Sequence, residues 1–145
     1  MRPAAKTAAP DVAIAFLHTA ATHPVLFDGL VQSIAPGTAT RHVVREDLLE
    51  QARNQDAASP AVAARVAEAA RAAARGATLL VCTCSTIGAL VEDAFRGDAS
   101  GGCRALRIDR PMAERAVALA EKVAVVAALA STVEDRKSTR LNSSH

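Results

Sequence analysis

The sequence predicts an α/β fold in which a parallel sheet is flanked by helices. Three observations carry that prediction. Short runs rich in Val, Leu and Ile alternate with segments of helical length from end to end of the chain. Each pair of predicted strands is joined by a connection long enough to hold a helix, which parallel neighbours require. Half of the residues are apolar, mostly Ala and Val, and aromatics make up only 2%. A core of small and branched aliphatics suits a Val/Leu-rich sheet covered by Ala-rich helices.

Val12–Leu17 is a short apolar run bounded by Pro10 and by His18-Thr19, and reads as a buried first strand. Pro24 falls where proline suits the first turn of a helix, and Val25, Leu26, Leu30, Val31 and Ile34 then recur at helical spacing. Pro36-Gly37 ends that helix. Thr38–Val44 alternates and is rich in β-branched residues, so it is the second strand. Glu46–Arg53 is a short helix or turn carrying Leu48 and Leu49.

Ser59-Pro60 caps a helix running to about Arg75, with Val62, Val66 and Ala69 or Ala70 on the buried stripe, and Gly76 stops it. Thr78–Cys82 is the most strand-like run in the chain. After Thr83-Cys84-Ser85-Thr86 the chain turns into a helix containing Leu90, Val91 and Phe95. Gly97–Gly102 is a loop, Cys103–Ile108 a fourth strand, Pro111 to about Ala120 a helix, and Val123–Leu129 a fifth strand.

At 145 residues the length fits about one domain. The formal charge of +2 is small and there is no basic stripe with interleaved aromatics, so nucleic-acid binding has no electrostatic footprint. No apolar run approaches a membrane span, and Val12–Leu17 is too short for the core of a signal peptide. Three cysteines without an export signal point to free thiols in a reducing, cytoplasmic compartment.

Residues 1–10 read as a disordered lead-in, 11–121 as a first α/β domain, and 122–134 as the start of a second. Asp135–His145 is polar and aperiodic, and it resembles one reading frame of a common sequencing adapter over its whole length. It is expected to be a non-native tail without contacts to the body, leaving a native part that is truncated. Without it, acidic and basic residues balance at fourteen each.

In an open parallel sheet, ligands bind beyond the carboxyl ends of the strands. Three segments fall there: His18-Thr19, Thr83 to Gly88, and Asp109-Arg110. Cys84 lies just before a predicted helix start, where backbone N–H groups and the dipole favour a thiolate. Ser85 and Thr86 add hydroxyl donors, and together with those N–H groups they form a cradle for a carboxylate. A cysteine so placed suits proton transfer or nucleophilic attack, and partial exposure is expected of it. Cys82 and Cys103 read as small hydrophobes pointing into the interior. The Cys82/Cys84 pair has no second ligand pair at zinc spacing, so no metal is expected. His18 and His23 also fit capping or solvated roles, and Asp109 fits equally the N-cap of the helix at Pro111.

Thr83-Cys84-Ser85-Thr86-Ile87-Gly88, following a hydrophobic strand, resembles the first cysteine motif of the Asp/Glu/hydantoin racemase family. Phe16-Leu17-His18-Thr19, Leu106 to Glu114 and Val123 to Thr132 resemble further segments of a subgroup of that family, in the same order. The resemblance covers about residues 11–134. It implies a flavodoxin-like half of a two-domain racemase fold, with the active site between the halves. It also implies proton transfer at the α-carbon of a small amino acid, carboxylate or hydantoin, without pyridoxal phosphate, metal or other cofactor.

Cys84 would be one of two acid/base thiols, the second coming from further downstream. Ser85 and Thr86 would bind the carboxylate, and His18, Thr19, Asp109 and Arg110 would line the pocket. The enzyme is expected to be cytoplasmic and a homo-oligomer is compatible with the family, while the present chain alone is expected to be inactive in racemisation. His18-Thr19 departs from the family's usual Asp-Ser or Gly-rich first turn, which leaves the substrate open. A decarboxylase or a cis–trans isomerase of dicarboxylates is the alternative on the same fold. A non-catalytic flavodoxin-like binding module is the alternative of another class, although the first turn lacks a Gly-rich phosphate loop.

Overall fold

The structure, a computed structural model, describes residues 12–57, 59–97 and 102–126. The expected lead-in, the tail and residues 127–134 lie outside the described residues. Four strands, β1 (Val12–His18), β2 (Thr40–Val44), β3 (Ala77–Cys82) and β4 (Arg104–Arg107), form one sheet in the order β2-β1-β3-β4. All three neighbouring pairs are parallel. With the five helices described below, this is the expected α/β, flavodoxin-like arrangement.

Each connection contains helix because a parallel return must cross the whole sheet. α1 (His23–Ile34) joins β1 to β2. α2 (Glu46–Asn54) and α3 (Pro60–Ala74) join β2 to β3, α4 (Gly88–Phe95) joins β3 to β4, and α5 (Arg110–Leu119) follows β4. Ser59 caps α3 as anticipated, its hydroxyl accepting from the Val62 N–H at 3.3 Å. Gly76 then takes φ +70°, a left-handed turn that only glycine adopts without penalty.

The core lies between the sheet and α2–α4. Val62, Val66, Ala69, Ala70, Ala73 and Ala74 of α3 are buried together with Ala15, Leu17, Leu80 and Cys82 of the sheet. The alanines let α3 approach the strands closely, while Leu48 of α2 and Val91 of α4 fill the flanks.

α1 behaves differently, since none of its residues is buried. Its sheet-facing stripe is His23, Phe27 and Val31, one turn apart, and Phe27 packs on Phe16 at a ring-centroid distance of 5.7 Å. Val25, Leu26, Leu30 and Ile34, part of the predicted apolar periodicity, are exposed.

The predicted fifth strand is corrected. Val123–Val126 lies in no strand, and the rest of that run is outside the described residues. This short apolar segment lines a cavity of about 600 Å³ together with Arg107 of β4 and with Met112 and Val117 of α5. No helix among the described residues is long and apolar enough to cross a membrane.

Candidate active site at the carboxyl edge of the sheet

Parallel register brings the candidate segments level with one another. Leu17 pairs with Cys82, and Cys82 with Arg107. The ladder then continues past the strands: the Thr83 N–H donates to the Leu17 carbonyl at 3.1 Å, and the Ile108 N–H to the Cys82 carbonyl at 2.9 Å. On the other side the Arg45 N–H donates to the His18 carbonyl at 2.8 Å. His18-Thr19, Thr83-Cys84 and Asp109 therefore sit side by side along the carboxyl edge of the sheet.

Alternation along the strands divides these residues between two faces. Cys84 falls on the α3/α4 side, in the buried cluster with Cys82, Ile87 and Val91. It is only 7% exposed, which corrects the expectation of partial exposure. Helix α4 starts at Gly88, with Ile87 at its N-cap, so the turn Ser85–Ile87 separates the cysteine from the helix end. Thr86 is buried and Ser85 half-buried. Cys82 is fully buried, which pushes its thiol up to about 12, and it lies close to the Cys84 carbonyl at 3.6 Å. Cys103 was expected inside but is half-exposed, because it precedes the edge strand β4. Burial still raises its thiol above the ordinary range.

On the same face, β4 and α4 hold a paired charge network. Arg107 is buried and binds Asp109 with two hydrogen bonds, Nε to Oδ1 at 2.7 Å and Nη2 to Oδ2 at 3.0 Å. Glu92 accepts from the Arg107 backbone N–H at 3.0 Å and from Arg110 Nε at 2.7 Å. Burial opposes ionisation of Glu92, but these hydrogen bonds and the two arginine charges outweigh it and hold the carboxyl below its ordinary value. Asp109 occupies the N-cap position of α5, yet its side chain makes no cap bond. It turns to Arg107 instead, because a bidentate guanidinium pair is stronger than one cap bond. Arg110 is likewise engaged by Glu92, and the cavity that Arg107, Asp109 and Arg110 help to line does not include Cys84.

The chain matches no protein-family model, no curated protein and no solved structure.

The α1 face holds the feature that the sequence reading missed. Three of the four histidines meet there, with Phe16 and Phe27. The rings of His18 and His42 lie edge to edge and nearly coplanar, with centroids 5.2 Å apart and planes within 8°, and Phe16 stacks on His42 at 4.9 Å. His18 Nδ1 lies 2.8 Å from Thr83 Oγ1, and His18 Nε2 lies 2.9 Å from His42 Nδ1. His23 Nδ1 reaches the same Thr83 Oγ1 at 3.1 Å. His42 Nε2 stands 3.6 Å from Asp28 Oδ1, which accepts from Thr40 Oγ1 at 2.7 Å.

Burial, and then the charges His42 and His23 would carry, lower His18 to about 4, so its ring is neutral at ordinary pH. His18 and Thr19, expected to line a pocket, are both buried. Among the described residues no group of three or more His, Cys, Asp and Glu side chains is arranged to hold a metal ion. A cue to the missed residue was present: His42 alternates in phase with Thr40, and β2 follows the strand that ends in His18.

Proposed function

We propose that the protein is a racemase or epimerase of the Asp/Glu/hydantoin type. It acts in the cytoplasm by cofactor-independent proton transfer at the α-carbon of a small amino acid, carboxylate or hydantoin. In this reading Cys84 is an acid/base thiol, and Ser85 and Thr86 receive the substrate carboxylate. The observation that supports it is the placement of Thr83 to Gly88 directly after β3, level with the ends of β1 and β4 on the ligand-binding side of a parallel sheet. The hard step is removal of a weakly acidic proton, so hydrogen-bond donors around the carboxylate must stabilise the charge that develops.

One observation favours a second reading, that of a single-cysteine decarboxylase or cis–trans isomerase. Cys82 is buried one step below Cys84 on the same face, and Cys103 stands at the amino end of β4. Neither can face Cys84 across a substrate, so inversion requires an opposing acid that is not one of these two thiols.

The test is incubation of the purified chain with single enantiomers of aspartate, glutamate and a hydantoin in heavy water, following α-deuteration and optical rotation together. Deuteration that disappears in Cys84→Ser, with optical rotation unchanged, is the expected result. Exchange that persists in Cys84→Ser, or no exchange with any of these substrates, rejects the reading.

A further inference from the structure

We propose that His23 is a second acid/base group at this edge, and that the chain His23–Thr83–His18–His42–Asp28 relays its proton so that the resulting charge is held at His42 beside Asp28. This deepens the reading of the edge as a proton-transfer site, and its substrate class is the same, a small carbon acid. The inference rests on hydrogen-bond geometry rather than on the identity of the reaction.

The hydrogens in the chain are not independent. Two ring nitrogens 2.9 Å apart, His18 Nε2 and His42 Nδ1, share one hydrogen between them. His42 Nε2 is buried and makes no hydrogen bond with the described residues, and the nearest charged atom is the Asp28 carboxylate oxygen at 3.6 Å. A bare lone pair on Nε2 would face that anion, so His42 carries its hydrogen there. In the neutral protein His42 Nδ1 is then an acceptor. His18 therefore donates from Nε2 and leaves Nδ1 bare, Thr83 Oγ1–H donates to that Nδ1, and His23 donates from Nδ1 to the threonine oxygen. All four donors point the same way, and His23 Nε2 is left as a free base.

Proton uptake at His23 Nε2 reverses the first three of these donors, counted from His23, with every atom accounted for, and leaves the His42 Nε2–H in place. The Nδ1 hydrogen of His23 passes to Thr83 Oγ1, and the threonine hydrogen passes to His18 Nδ1. The His18 Nε2 hydrogen passes to His42 Nδ1. Four N–H or O–H bonds form and three break, the incoming proton being the difference. His18 ends neutral and His42 ends as an imidazolium facing Asp28. The titratable groups around the relay are Asp28 and His23 of α1, His18 of β1 and His42 of β2, with Glu46 of α2 nearby, bonded to the Ala21 N–H that precedes α1. Such a relay lets a group at the open end act as base while the charge is stored where a carboxylate stabilises it.

The experiment is a pH titration of the ¹⁵N-histidine-labelled full chain by long-range ¹H–¹⁵N correlation, which reads the protonation of each ring nitrogen. The signals of His145 are identified by their loss in His145→Gln. At high pH, His18 and His42 are expected as Nε2–H tautomers and His23 as the less common Nδ1–H tautomer. On acidification a single event should make His42 doubly protonated, while His23 switches to Nε2–H and His18 to Nδ1–H. Thr83→Ser should retain the coupled switch, and Thr83→Val should break it, so that the tautomers of His23 and His18 no longer change together with His42. Should Thr83→Val not fold, His42→Gln tests the same coupling by removing the acceptor of the relayed proton, and the paired tautomer switch of His23 and His18 should be lost. Double protonation of His23 in the unaltered chain while His42 stays neutral, or an Nδ1–H tautomer of His18 at high pH, overturns the proposal. No substrate is involved, so failure here is separate from failure of the deuteration test.

Discussion

Gly88 packs on Arg107 so closely that a Cβ placed on the glycine would stand 3.0 Å from the arginine Cβ. The first residue of α4 is thus glycine because the stem of a buried arginine passes over it.

Gly88→Ala sets two effects against each other. Alanine in a helix is favoured over glycine by up to about 1 kcal/mol. Forcing a methyl group into a filled site costs about 1–3 kcal/mol, and the Arg107 stem is tied down by Asp109. A net loss of about 1 kcal/mol is expected in urea unfolding, and an unchanged or raised midpoint would contradict the packing described.

Acid should weaken the fold through His18. Its folded value of about 4 lies below the ordinary 6.5, so the unfolded chain takes up a proton that the folded chain refuses. The contribution of neutral His18 is complete above about pH 6.5 and declines as pH falls towards 4. The full linkage would be about 3 kcal/mol. Half-buried His23 and His42 bring solvent close, so about 1–2 kcal/mol is expected. Unfolding midpoints from pH 7 to pH 4, compared with His18→Gln, measure it; parallel curves would refute the assignment.

Removal of the Glu92 carboxylate should be costly. Glu92→Ala leaves the Arg107 backbone N–H and the Arg110 guanidinium without their acceptor at a half-buried site. About 1–3 kcal/mol of stability should be lost. Glu92→Gln, which keeps an oxygen acceptor, should lose less, and equal losses would show that shape rather than hydrogen bonding matters there.

Thiol labelling of the native protein should follow burial. Cys103 is expected to react first, Cys84 slowly and Cys82 only on unfolding, since they are half-exposed, 7% and 0% exposed respectively. Rates measured by mass spectrometry at one pH decide this, and faster labelling of Cys84 would show that the edge opens in solution.

The sheet was legible because each strand carries its own signal and each connection is long enough to hold the helix that a parallel return requires. Ser59-Pro60 and Gly76 marked α3 by local chemistry that tertiary packing had no reason to override. Val123–Val126 misled because a short apolar run fits a strand and a helix surface equally well. The exposure of Cys84 and Cys103 was misjudged for a related reason: burial depends on what packs around a residue, and Cys84 belongs to the same buried cluster as Ile87 and Val91. The histidine cluster was invisible as a unit, since His18 and Thr83 lie far apart in sequence and His42 by itself resembles any polar residue of an edge strand. Asp109 and Arg110 were correctly placed at the edge, but sequence could not show that both were already paired.

The pairing of β1 with β3 has a consequence for synthesis. His18 and Thr83 are 65 residues apart, and β1 is hydrogen-bonded on one side only by β3. At about 5–20 residues per second, the ribosome leaves roughly 3–13 s between them. During that interval a strand carrying Phe16 and Leu17 has one side unmatched, and β2 can join it but cannot cover it. Sheet assembly is thus timed by the arrival of Ala77–Cys82, and this interval is when a holding chaperone has most to bind.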